Sequence, residues 1–119
     1  MPCLLGCIAA MLFHHVHNAE FLDAYPKLPA WLSRAGVYAA WLAATAIGLT
    51  GYCLLGRGHR RVGLGLLFVY CCYGLNALAH YALAPISAHT TMMNVSIWLE
   101  AVAAAALLIV ILIWSVFHA

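Results

Sequence analysis

Residues 34–55 read RAGVYAAWLAATAIGLTGYCLL, and the arginine at the start is the only charged residue in this stretch. The hydrocarbon core of a bilayer is about 30 Å thick and an α-helix rises 1.5 Å per residue, so roughly 20 apolar residues cross it. Three other parts of the chain approach this length and character, at about 2–21, 62–84 and 91–117. The sequence therefore predicts an all-α protein, an integral membrane four-helix bundle that forms one domain over residues 1–119.

The composition of the whole chain agrees with a lipid environment. Only 7% of the 119 residues are charged and 67% are hydrophobic, whereas a soluble domain carries about 25% charged residues. The formal net charge of +2 comes without a stripe of basic residues, which argues against nucleic-acid binding. We predict a protein of the bacterial cytoplasmic membrane, whose partners are the lipid bilayer and either other membrane subunits or further copies of itself in a homo-oligomer.

The connection between the second and third segments sets the expected topology. Residues 56–61 read GRGHRR, and short loops rich in arginine stay in the cytoplasm. This orientation places both termini in the cytoplasm. The other two connections then lie on the non-cytoplasmic side, where Tyr25 and Trp31 suit the membrane interface.

Ionisable residues are concentrated on that non-cytoplasmic side. Residues 13–29, FHHVHNAEFLDAYPKLP, hold three of the seven histidines and two of the three carboxylates. Residues three and four apart share a helix face, and this spacing gives each of three helices one polar row. Polar rows avoid lipid, so we expect the three rows to face one another. They are Cys3, Cys7, Ala10, His14, His17 and Glu20 on the first helix, Cys72, Asn76 and His80 on the third, and His89, Met93, Ser96 and Glu100 on the fourth.

Glu100 is the most informative of these residues. By helical rise it lies well inside the hydrocarbon region, where an ionisable side chain is by default a sign of function. His15 points about 100° away from His14 around the first helix, which predicts an interfacial position outside the rows.

The polar rows allow three interpretations. Imidazole and carboxylate groups from several helices suit zinc, iron or copper. The same groups could perform acid–base chemistry or bind a small ligand, or they could cap helix ends at an ordinary membrane interface. The predicted metal ligands are His14, His17, Glu20, His80, His89 and Glu100; the predicted catalytic residues are Glu20, His80 and Glu100; Asp23, Asn76 and Met93 are secondary candidates.

The five cysteines lie in apolar segments and are odd in number, which argues against a disulfide framework and indicates small buried hydrophobic residues. The adjacent pair Cys71 and Cys72 resembles the cysteine pair of small mercury-transport proteins. That resemblance implies a minor alternative, a transporter that passes a soft metal along thiolates.

Small residues support a different alternative. Residues 36–48, GVYAAWLAATAIG, and residues 101–108, AVAAAALL, permit close contact between membrane helices. A non-catalytic accessory subunit of a larger membrane complex would use such faces.

Two short motifs carry a resemblance to a family. Residues 17–21, HNAEF, resemble the His-x-x-Glu-Glu motif of the HXXEE family of small bacterial membrane proteins, with Phe21 at the position of the second glutamate. Residues 75–80, LNALAH, resemble the segment of that family with a histidine in a later helix. The resemblance implies a role in a membrane-embedded enzyme for His17, Glu20 and His80.

Overall fold

The computed structural model describes residues 2–117, and no β-strand occurs among them. Single-turn 3-10 segments lie in the connections and after the third helix, at Leu22–Ala24, Asn76–Ala79 and Ile86–Ala88. The prediction of an all-helical protein with four main helices is confirmed for the described residues. The α-helices are α1 (Pro2–Glu20), α2 (Arg34–Gly56), α3 (Arg60–Leu75), the short α4 (His80–Leu83) and α5 (Thr91–Phe117).

Three helical stretches are long and apolar enough to cross a membrane, namely Arg34–Gly56, Arg60–Leu83 and Thr91–Phe117. The 19-residue helix α1 carries His14, His15 and Glu20 in its second half and is not among the three. The membrane character predicted from the sequence is therefore supported for three of the four helices. A fourth crossing and the orientation of the termini stay predictions.

The long helices form a closed ring. Helix α1 packs against α2 and α5, and α3 packs against the same two helices. The core between them is mostly aliphatic, with two thiols and one tyrosine. Its buried members are Leu4, Cys7, Met11, Ala44, Leu67, Tyr70, Cys71, Ala104, Leu107 and Ile111.

Helices α2 and α3 approach each other backbone to backbone. A Cβ atom added at Gly51 would lie 2.9 Å from the carbonyl oxygen of Gly63, and one added at Gly63 would lie 2.8 Å from that of Gly51. Both contacts are with backbone atoms, which cannot rotate away. The α2–α3 hairpin therefore requires glycine at both positions.

The third predicted helix is not continuous. The α-helical hydrogen bonding changes at Asn76–Ala79 to a 3-10 segment, which has three residues per turn rather than 3.6. His80 is buried while Cys72 and Asn76 are exposed. The predicted row Cys72, Asn76 and His80 is therefore not one buried face, although Asn76 and His80 line the same cavity. The helix ends before Pro85, because Ala84 takes the extended conformation that a residue before proline prefers.

The cysteines separate into two groups. Cys7 and Cys71 are fully buried in the core, as predicted for small hydrophobic residues, whereas Cys3, Cys53 and Cys72 are exposed. The adjacent thiols of residues 71 and 72 thus lie in different environments, one in the core and one on the surface.

The connection between α1 and α2 folds back toward the bundle. Its Tyr25 is buried and packs in a cluster with Ala77, Met93 and Ile97. The hydroxyl oxygen of Ser33 accepts a hydrogen bond from the backbone N–H of Gly36 at 3.1 Å and so caps α2. This connection brings Tyr25 next to the polar end of α1.

Candidate acid–base site

Polar side chains from α1 and α5 meet in the interior. His14 is 3% exposed and Glu100 is 1% exposed. The Nδ1 atom of His14 lies 3.0 Å from the hydroxyl oxygen of Ser96, and its Nε2 atom lies 3.9 Å from the Oε2 atom of Glu100. These are two of the rows expected to face one another, and the structure brings them together.

The hydrogen bonds indicate a position for the proton of His14. The Ser96 hydroxyl lies 2.9 Å from the carbonyl oxygen of Met93, and when it donates to that carbonyl its oxygen accepts from His14. In this arrangement neutral His14 carries its proton on Nδ1, which leaves the lone pair of Nε2 directed toward Glu100. At 3.9 Å the two atoms face each other but do not form a hydrogen bond.

His15 also faces the interior. Its Nδ1 atom donates to the carbonyl oxygen of Met11 at 2.8 Å, and its Nε2 atom accepts from the Tyr73 hydroxyl at 2.9 Å. The Glu100 carboxyl oxygen is 3.7 Å from His15 Nδ1. The prediction of an interfacial His15 is wrong, because packing against both α2 and α5 buries a face of α1 wide enough for two adjacent histidines.

His80 and His89 extend the polar cluster toward the connections. The amide nitrogen of Asn18 donates to His80 Nε2 at 3.3 Å, and His89 Nδ1 donates to the Pro85 carbonyl oxygen at 3.1 Å. The His80 ring centroid lies 5.2 Å from that of His14 and 6.1 Å from that of His89. Within residues 2–117, His80 Nδ1 and His89 Nε2 are buried without a hydrogen-bond partner.

Glu20, the carboxylate of the family-like motif, lies apart from this cluster. It is exposed, pairs with the Arg34 guanidinium at 2.6 Å and accepts a hydrogen bond from the Tyr38 hydroxyl at 2.7 Å. Asp23 is exposed as well. The structure thus does not bring Glu20 or Asp23 to the other predicted site residues.

His17 reaches the cluster only through the connection. Its Nδ1 atom is hydrogen-bonded to the Tyr25 hydroxyl at 2.9 Å, and the Tyr25 ring centroid is 5.1 Å from that of His80. Burial raises the pKa of the Tyr25 phenol, so this hydroxyl keeps its proton. Met93 is buried beneath Tyr25, and its sulfur accepts from the backbone N–H of Thr90 at 3.4 Å.

A cavity of about 350 Å³ opens beside Glu100. Its lining combines apolar side chains, mostly from α2 and the α1–α2 connection, with polar groups from α1, α5 and the region from the end of α3 to α4. The polar lining residues are His14, His15, Asn18, Tyr73, Asn76, His80 and Glu100, and the larger apolar ones are Leu28, Trp31, Leu32, Val37 and Leu83.

Sequence reasoning missed several members of this site. Asn18 lies four residues after His14, on the same face of α1, and this spacing was sufficient to find it. No pattern indicated Tyr73, because its place beside His15 depends on how α1 packs against the rest of the bundle.

The geometry does not assemble a metal-ligand set. Among residues 2–117, no group of three or more histidine, cysteine, aspartate or glutamate side chains is arranged to hold a metal ion. Both nitrogens of His15 are occupied by hydrogen bonds, and Glu20 is distant from the cluster.

Comparisons with protein-family models, with curated proteins and with solved structures found no match to this chain. The functional interpretation therefore depends on the arrangement of the residues described above. The resemblance of residues 17–21 and 75–80 to the HXXEE family stays a prediction.

Proposed function

We propose that this chain is an integral membrane protein that binds a small, mostly apolar molecule in the cavity beside Glu100. In this proposal it exchanges a proton with that molecule through Glu100 and His14. The observation that carries it is the position of Glu100 Oε2. Within the described chain this buried atom has no hydrogen-bond partner, lies within 4 Å of two imidazole nitrogens, and belongs to a residue that lines the cavity.

The chemistry follows from a proton shared by Glu100 and His14. A protonated carboxyl group beside a neutral imidazole has no net charge. The same holds for a carboxylate beside an imidazolium. Proton transfer between them therefore adds no net charge to the apolar interior, where an unpaired charge is costly. Such a pair can give a proton to a bound molecule or accept one from it, which is the task of general acid–base groups.

The lining of the cavity indicates the class of ligand. Its volume of about 350 Å³ lies at the lower end of the range for small-molecule sites, which combine apolar walls with a few polar groups. Leu28, Leu32 and Val37 would hold an apolar body. Asn18 and His80 are placed to contact one or two polar atoms.

Retention of the ligand tests this proposal. Ala40 lines the cavity and Ala39 does not, although both are exposed on α2. Protein purified in mild detergent should carry a small molecule, which mass spectrometry of a solvent extract identifies. We expect the Ala40→Trp variant to lose this molecule and the Ala39→Trp variant to keep it. Equal retention by both variants would place the molecule outside the cavity.

The predicted transition metal is a second candidate. It is favoured by the partnerless buried nitrogens His80 Nδ1 and His89 Nε2, which are suitable ligand atoms for zinc, iron or copper. Elemental analysis of the purified protein distinguishes the two candidates. One equivalent of metal that is lost on His80→Ala would establish the metal site, whereas the acid–base proposal expects far less than one equivalent.

The membrane orientation is part of the proposal, with both termini in the cytoplasm as the arginines of residues 56–61 indicate. It is tested in a variant whose exposed cysteines Cys3, Cys53 and Cys72 are replaced by serine. A membrane-impermeant maleimide added to intact cells should label Ser87→Cys and should reach Ser115→Cys only after permeabilisation. Labelling of residue 87 from the cytoplasmic side alone would reverse the topology.

A further inference from the structure

A second cavity lies at the end of the bundle opposite Glu100. It has a volume of about 610 Å³ and is lined by the start of α1, the end of α2, the start of α3 and the end of α5. Its walls are almost entirely apolar, with Leu4, Leu55, Leu67, Leu107 and Val110 among the lining side chains. Its size is sufficient to enclose a flexible hydrocarbon chain.

The arginine-containing turn between α2 and α3 adjoins this apolar cavity. Gly56 lines it and directly precedes Arg57, and the Arg60 guanidinium lies 4.9 Å above the ring of Trp114, another lining residue. Arg60 also donates to the carbonyl oxygen of Ser115 at 3.1 Å. The cationic α2–α3 turn is therefore fixed beside the opening.

Among residues 2–117, two further arginines at this end have no acidic partner. Arg57 and Arg61 are exposed, and neither forms an ion pair within the part of the chain that the structure describes. The carboxylates of Glu20, Asp23 and Glu100 all belong to the other end or to the interior. Helix α2, which separates Arg34 from Arg57, has 23 residues and is about 35 Å long at 1.5 Å per residue.

We infer that this cavity holds an acyl chain of an anionic phospholipid whose phosphate contacts Arg57 and Arg61. Basic pockets between membrane helices bind anionic head groups, and here the basic residues adjoin an apolar space that a lipid chain fills. Charge complementarity favours an anionic lipid over a zwitterionic one. The inference rests on the membrane placement proposed above and is independent of the acid–base site.

Native mass spectrometry with two probes tests the inference. Phosphatidylglycerol and phosphatidylcholine with identical acyl chains are added to the detergent-purified full chain, and bound lipid is counted. We expect phosphatidylglycerol to bind preferentially, and Arg57→Gln or Arg61→Gln each to weaken its binding about fivefold, which corresponds to ~1 kcal/mol. Lys27→Gln, which removes one positive charge at the opposite end, should leave binding unchanged.

Four further measurements separate the sources of binding. Val110→Trp, which fills the cavity, should weaken both lipids, and excess inorganic phosphate should not displace the bound lipid. Bound phosphatidylglycerol should slow maleimide labelling of Cys53, which lines the cavity, but not of the exposed Cys72. Glu100→Gln should bind lipid normally, which keeps this inference distinct from the acid–base proposal.

Several results would overturn the inference. Equal binding of the two lipids, or unchanged binding by both arginine variants, would show that the arginines do not select an anionic head group. Full displacement by inorganic phosphate would indicate a site for a free anion. Unchanged labelling of Cys53 in the presence of lipid would show that the acyl chain lies elsewhere.

Discussion

Glu100→Gln should lower retention of the cavity ligand at least tenfold and remove the dependence of that retention on pH. The amide keeps nearly the size and shape of the carboxyl group but cannot exchange a proton with His14. A hydrogen bond to a charged group contributes about 1.5–3 kcal/mol, which corresponds to roughly a tenfold to hundredfold change in affinity. The measurement is the amount of ligand bound per protein across a pH series.

Glu20→Gln is the matched control for this prediction. It makes the same chemical change at an exposed pair with Arg34, and such surface pairs contribute at most about 1 kcal/mol. Retention and its pH dependence should stay as in the native protein. A loss of retention in Glu20→Gln, with Glu100→Gln unaffected, would favour the site implied by the family-like motif and contradict the proposed one.

Gly63→Ala should destabilise the bundle by about 1–3 kcal/mol, the usual cost of overpacking a close contact. The new methyl group would lie 2.8 Å from the carbonyl oxygen of Gly51 and 2.9 Å from the backbone nitrogen of Leu55. Neither backbone atom can move without separating α2 from α3. Thermal unfolding in detergent, followed by circular dichroism, measures the change.

Gly65→Ala provides the control for the helix contact. Gly65 lies on the same helix, and no atom lies within 4 Å of a Cβ atom added there. Alanine stabilises a helix interior by up to about 1 kcal/mol relative to glycine, so this variant should unfold at a temperature equal to or above that of the native protein. Equal destabilisation by both variants would show that the α2–α3 contact is looser than described.

The helices themselves were predictable because their signals are local. Residues 34–55 and 91–117 are apolar over a full membrane thickness, and Ser33 and Pro85 mark boundaries that backbone chemistry enforces. The change to 3-10 geometry at Asn76–Ala79 had no such signal. The segment contains neither glycine nor proline, so its conformation depends on packing against other helices.

The site was predictable only in part, for the same reason. His14, Ser96 and Glu100 converge because each lies on the polar face of its helix. Glu20 occupies the next position of the His14 and His17 row, but α1 ends there and Arg34 at the start of α2 pairs with it. Its partner depends on the path of the α1–α2 connection, which helix periodicity does not describe.

Nuclear magnetic resonance of ¹⁵N-labelled histidine tests the central claim, a proton shared by His14 and Glu100. The His14 signals are assigned from their absence in His14→Gln. The account predicts that His14 Nδ1 is protonated, and that Glu100→Gln shifts the Nε2 resonance while the Nδ1 resonance stays in place. An unprotonated Nδ1, or an Nε2 resonance identical in native and Glu100→Gln protein, would contradict the account.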